Sequence, residues 1–229
     1  MFSLTNLPVM HNVLARCIKR SIKARRDSYG CRMKTNILLT DDQLFHNEPD
    51  LAELRRAYEL RLSSFQVSRE MLERLIQRGS VMAMVYLGAE CRRNSLREQS
   101  IKYYRSAYEN GSSTALFSLA QSFYLDGNFA EAEALWRDGV SKNDPVSMYR
   151  LARLYLEKNK KSIIPINIKR LLEDADNLGQ LRATLLLGCL YLKAKFGISR
   201  IPIGFILMGK VVPKVIYVHY RDPYDRRLW

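Results

Sequence analysis

The sequence predicts an all-α fold: an α–α superhelix, in which antiparallel helix pairs stack into a right-handed solenoid. Three observations predict it. A small residue, three intervening positions, Leu and a second small residue recur four times along the chain. Four positions before each first small residue stands Gly or Asn, residue types that end a helix in left-handed backbone. After each copy, large and small side chains alternate at the three- and four-residue spacing of a second helix. Such self-similarity marks repeats that cannot bury their apolar faces singly and must stack.

Taken in order, residues 1–40 form a basic extension without a period, expected to be poorly ordered. The solenoid is expected over 41–212. It begins with a degenerate cap ending at Gly79, in which Leu54 and Tyr58 are followed by Ser68, Leu72 and Leu75. A terminal repeat is expected to be irregular, because one of its faces has no neighbour. Asp41-Asp42 heads this stretch as the acidic start of a helix, with no chemistry assigned to it. The first full repeat, about 80–111, has Ala83, Leu87 and Gly88 on one helix and Ser100, Tyr104 and Ala107 on the next. The second, about 112–143, sets Ala115, Leu119 and Ala120 against Ala132, Trp136 and Gly139. The third, about 144–179, opens with Ser147, Leu151 and Ala152 and returns with Ile168, Leu172 and Ala175 after a longer connector, Lys160 to Asn167. The fourth, about 180–212, has Ala183, Leu187 and Gly188, then Gly204, Met208 and Val211. The turn residues are Gly79, Gly111, Asn143 and Gly179, and the first small residues, at 83, 115, 147 and 183, lie 32, 32 and 36 apart. A small side chain on each helix lets its antiparallel partner approach, and the large neighbour fills the space beside the contact. The tail, 213–229, carries Tyr217, Tyr220, Tyr224 and Trp229 and is expected to fold back over the last repeat.

These residues resemble the tetratricopeptide repeat, most closely in the copy with Leu119-Ala120, Phe123, Ala132, Trp136, Gly139 and Pro145. The stretches YLGAECRRN, SLAQSFYLDG and LLLGCLYLKA look still more like the related SEL-one-like repeat family. The resemblance covers about residues 65–212. It departs from that family in lacking the Gly-x-Gly-Val loop between helices, and only the third copy reaches the longer family length. The resemblance implies a protein-binding scaffold or adaptor, of the kind that assembles signalling and quality-control complexes.

Composition agrees with a globular chain, with 47% hydrophobic and 26% charged residues. The net charge of +14 would by itself suggest an anionic partner. Its location weakens that suggestion: residues 1–34 carry 8 basic and 1 acidic, residues 180–229 carry 9 and 2, and the middle is nearly neutral. Nucleic acid is therefore a disfavoured partner, since a basic stripe on the folded body is missing. Peripheral binding of an anionic surface, membrane or nucleic acid, through the two basic ends is the alternative function. Cys17, Cys31, Cys91 and Cys189 show no metal or redox spacing, and the N-terminus has no secretory pattern, so a cytoplasmic location is expected. Asn110-Gly-Ser112 reads as a turn between repeats, not as a glycosylation site.

Catalysis needs a constellation that is missing here. His11, His46 and His219 all lie outside the repeats, and there is no phosphate loop, nucleophile motif or metal-spaced cluster, so no enzyme, cofactor or metal is expected. The resemblance places the binding groove on the first helix of each hairpin. Projected onto this chain, the groove positions are Arg92, Arg93, Gln121, Tyr124, Tyr149, Arg153, Arg182 and Lys193. Such a basic and aromatic set suits a peptide carrying carboxylates or phosphates, because guanidinium forks bind both in charge-assisted pairs. The competing reading is an ordinary solvated face. Residues 198–218 approach a membrane span in length, but Arg200, Lys210 and Lys214 interrupt them and Pro202 and Pro213 break them. Burial as the last hairpin is the expectation, with peripheral membrane contact as the alternative.

Overall fold

The computed structural model describes residues 38–158, 165–222 and 226–228, which lie within one compact unit, Asn36–Trp229. Among these residues a short helix α1 (Asp41–Phe45) precedes five helical hairpins. They are α2 (Leu51–Leu60) with α3 (Phe65–Gln77), α4 (Val81–Arg93) with α5 (Arg97–Glu109), and α6 (Ser113–Leu125) with α7 (Phe129–Ser141). There follow α8 (Pro145–Lys158) with α9 (Ile166–Asn177), and α10 (Leu181–Leu192) with α11 (Ile201–Arg221). From α2 to α11 each helix packs on the next in sequence, the contact order of a helical repeat solenoid, and α1 packs on α4. The described residues hold no strand, only an isolated bridge between Leu39 and Ser112.

The turns between hairpins explain why the period is so regular. Gly111 takes φ +89°, a conformation in which a side chain would be strained, and ends α5. The next residue, Ser112, accepts the Ala115 amide at 3.1 Å on its hydroxyl and so starts α6. Gly79, Asn143 and Gly179 share the positive φ, and Ser80, Asp144 and Gln180 supply the corresponding caps to α4, α8 and α10. Two adjacent residues thus stop one helix and start another, each cap contributing about 1 kcal/mol.

Every signature position of the repeats is buried, from Ala83 and Leu87 to Leu187 and Gly188. Each core cluster straddles two hairpins. Val85, Tyr104 and Ala107 pack with Ala115 and Leu119, while Ala120, Ala132 and Trp136 pack with Leu151 and Leu154. Gly139 shows what the small positions do: a Cβ there would lie 2.1 Å from the Ser147 hydroxyl and 2.9 Å from the Leu116 side chain. On the second helices, Ser68 and Ser100 occupy the same position and donate to the carbonyls of Ala57 and Gly88, both at 2.8 Å.

Both ends of the unit are tied to inner repeats. Leu39 exchanges backbone hydrogen bonds with Gly111 (2.7 Å) and Ser113 (3.1 Å), and Asp41 accepts from Thr114 at 2.6 Å. Glu48 accepts from the Ser80 hydroxyl at 2.5 Å and the Met82 amide at 3.1 Å. From the other end, Arg226 pairs with the buried Asp144 at 3.0 Å and also donates to Ser113, while its carbonyl accepts from Gln180 at 3.2 Å. These contacts gather at the starts of α4, α6, α8 and α10.

Several expectations change. Of the expected extension, 1–37 lie outside the described residues, whereas 38–40 are bound to the second repeat. Of the connector from Lys160 to Asn167, 160–164 lie outside them. Position 212 is no boundary: α11 packs on α10 and runs through Pro213 to Arg221, with Gly204 and Val211 buried before the proline and Val218 buried after it. These three are its only fully buried residues, so the expected burial of this helix covers one stripe. Tyr217 and Tyr220 are exposed on it, and the fold-back is made instead by Arg226–Leu228; Tyr224 and Trp229 lie outside the described residues.

Candidate functional site

The first helices of successive hairpins lie side by side. Residues three and four apart on one of them share a face, so Phe117, Gln121 and Tyr124 line up along α6, and Arg150, Arg153 and Glu157 along α8. The two rows meet: the Arg150 guanidinium lies over the Phe117 ring at 5.0 Å, and the Tyr124 hydroxyl donates to Glu157 at 2.5 Å. Arg153 pairs with the same carboxylate at 3.1 Å. Arg182 comes from α10 and lies near enough to act electrostatically on Arg150.

Arg150 is the centre of this arrangement. It is half-buried, its Nε is sealed from solvent, and that nitrogen has no hydrogen-bond partner among the described residues. Burial pushes its pKa down, as do the like charges of Arg153 and Arg182, while Tyr149 and Tyr124 oppose them. The sealed Nε cannot meet an arriving anion, so a charge-assisted contact would fall to the terminal nitrogens of the guanidinium. For Arg153, burial acts to lower the pKa, but hydrogen bonds to Tyr149 and Glu157 outweigh it and the net shift is upward. Tyr124 is raised chiefly by its hydrogen bond to Glu157 and by burial. Gln121 likewise has a buried side-chain oxygen without a partner.

The structure divides the expected groove set in two. Gln121, Tyr124, Arg153 and Arg182 lie on α6, α8 and α10, and Arg153, Arg182 and Tyr124 act on Arg150. Tyr149 is near it too but is 6% exposed and belongs to the core with Ala152 and Leu187, so it offers no open edge. Arg92 and Arg93 end α4 instead: Arg93 pairs with Glu90 at 2.9 Å, and Arg92 lines a hollow with Arg97 and Asp126 between two hairpin tips. Lys193 caps the end of α10 and is exposed. The residue that the projection missed is Arg150. The signal was available, since it stands three positions before Arg153 on one helical face.

Among the described residues no group of three or more His, Cys, Asp or Glu is placed to hold a metal ion. Cys91 and Cys189 are free thiols, Cys91 buried with its pKa raised by that burial.

No family model and no curated protein matches the chain. Among solved structures, a Sel1 repeat protein from Oxalobacter formigenes is similar in fold, with a TM-score of 0.55 at 17% identity over 70% of this chain and 72% of that one. The chain therefore has the all-α repeat fold of Sel1-like proteins.

Proposed function

We propose that this protein is an interaction scaffold that holds a segment of another protein across α6, α8 and α10. The observation that carries the reading is the half-buried guanidinium of Arg150, beside Arg153 and Arg182 and over the Phe117 ring. A segment carrying carboxylates or phosphates complements it, because each guanidinium offers a fork of donors to two oxygens. By analogy of fold, the similarity to a Sel1 repeat protein fits a binding scaffold. Free thiols at Cys91 and Cys189 are consistent with a reducing, cytoplasmic setting.

Affinity purification from the native cells, comparing wild type with Arg150→Gln plus Arg182→Gln, tests this. The bound segment should weaken by about 30-fold or more, as for loss of one side of a desolvated charge pair. An unchanged partner set with a variant that melts like wild type defeats the assignment.

A further inference from the structure

The last helix is unlike the others. At about 100° per residue, Gly204, Val211 and Val218 fall on one stripe, which is the buried part of a helix that packs on α10. The opposite sector holds Phe205, Ile206, Val212, Ile216, Tyr217 and Tyr220, all exposed, with Phe205 at 68%, Ile216 at 63% and Tyr220 at 93%. No charged group interrupts that sector. Along one edge of it run Lys210, Lys214 and Arg221, also exposed. Between Asp176 and Asp222 there is no Asp or Glu, while Lys193, Lys195, Arg200, Lys210, Lys214 and Arg221 all fall in the interval. Counting its leading turn, Ile198–Arg221 is the one stretch among the described residues that is long and apolar enough to cross a membrane.

We infer that the outer face of α11 docks the protein on an anionic lipid bilayer, with the helix lying in the plane of the interface. An apolar sector reaches the acyl boundary, its basic edge meets acidic headgroups, and Tyr217 and Tyr220 supply rings with polar tips that suit the interface. Three other occupants fit less well. A spanning helix would set Lys210 and Lys214 near the bilayer midplane, where ammonium groups are strongly disfavoured, and would strip α11 from α10, exposing its buried stripe. A second copy of the chain on a two-fold axis would face the same patch with itself, bringing Lys210, Lys214 and Arg221 together with no acidic residue on the helix to answer them. Nucleic acid answers the lysines but leaves the apolar sector uncovered.

The full chain is mixed with vesicles of phosphatidylcholine alone or with phosphatidylserine added, and sedimented. Binding to the phosphatidylserine vesicles is expected, falling steeply with salt. Lys210→Gln with Lys214→Gln should weaken it about 30-fold, and Phe205→Ser with Ile216→Ser should abolish it. All four side chains are exposed, so these variants should keep the wild-type circular dichroism and melting point. A Phe205→Trp variant gives a gain of signal that does not depend on lost binding: its emission should shift to the blue on the anionic vesicles only. Bound protein should be released by alkaline carbonate. The inference is overturned if the protein does not sediment, if Phe205→Ser with Ile216→Ser sediments like wild type, or if carbonate fails to release it, which would mean a span. It is also overturned if light scattering finds a dimer that Phe205→Ser with Ile216→Ser dissolves.

Discussion

Helices α5 and α11 occupy the same place in their hairpins, and they differ most in character on the side that faces away. In α5 the stripe of Ser100, Tyr104 and Ala107 is buried, and the opposite stripe is Glu98, Lys102, Arg105 and Glu109. In α11 the aligned inner stripe is Gly204, Met208 and Val211, and the aligned outer positions are Pro202, Ile206, Gly209 and Pro213. The repeat constrains what is buried and leaves the outer stripe free to vary. Regularity along the array is therefore a record of packing, and function is to be sought where a helix departs from its neighbours on a face that packing does not use.

Substitutions on the two kinds of face sharpen this contrast. The largest effect is expected from Trp136→Ala, at 2% exposure in a cluster shared by two hairpins, which should cost about 3–5 kcal/mol in urea unfolding. Gly139→Ala should cost about 1–3 kcal/mol, since the added methyl meets Ser147, whose hydroxyl is held by Asp144 at 2.6 Å and cannot move aside freely. A titration effect comes next. Burial pushes the Tyr86 phenol up to about 12, with Tyr58 adding to the shift. The neutral form is favoured by folding, so this stabilisation is fully present below the ordinary tyrosine range near 10 and is lost as pH rises through about 12. Melting points measured across that interval should fall less steeply in Tyr86→Phe. Least of all, Ile216→Ser on the outer face of α11 should change stability by no more than about 0.5 kcal/mol, although the residue is as apolar as many in the core. A cost at position 216 comparable with that at 136 would erase the distinction between the two faces.

What could be seen in the sequence was what local physics repeats. The turn pairs Gly79-Ser80 and Gly111-Ser112 announce a helix end and a helix start in adjacent residues, and the small positions follow at helical spacing. Arg150 shares a helical face with Arg153, but what makes it central is Phe117 and Arg182, which come from other repeats and leave no mark in the local sequence. From the sequence Tyr149 reads as an open-face residue although the chain buries it, since a tyrosine two positions after the small residue can point either way. Pro213 suggests an end that tertiary packing overrides: α11 is buried on both sides of it, at Val211 and Val218. The links from Leu39 to Ser113 and from Arg226 to Asp144 join residues 74 and 82 positions apart, where no periodic pattern can announce them.

Those links change how the array should come apart. In an open stack each unit is held only by its neighbours, so the outermost ones fray first and unfolding proceeds inward in steps. Here a segment ahead of the first hairpin is fastened to the third, and a segment behind the last hairpin is fastened to the third and fourth. Opening either end means releasing a contact deep in the array. The ties made by Leu39, Asp41 and Arg226 work as a clasp, so amides of α2 and α10 should exchange with solvent more slowly than those of an open stack's end repeats.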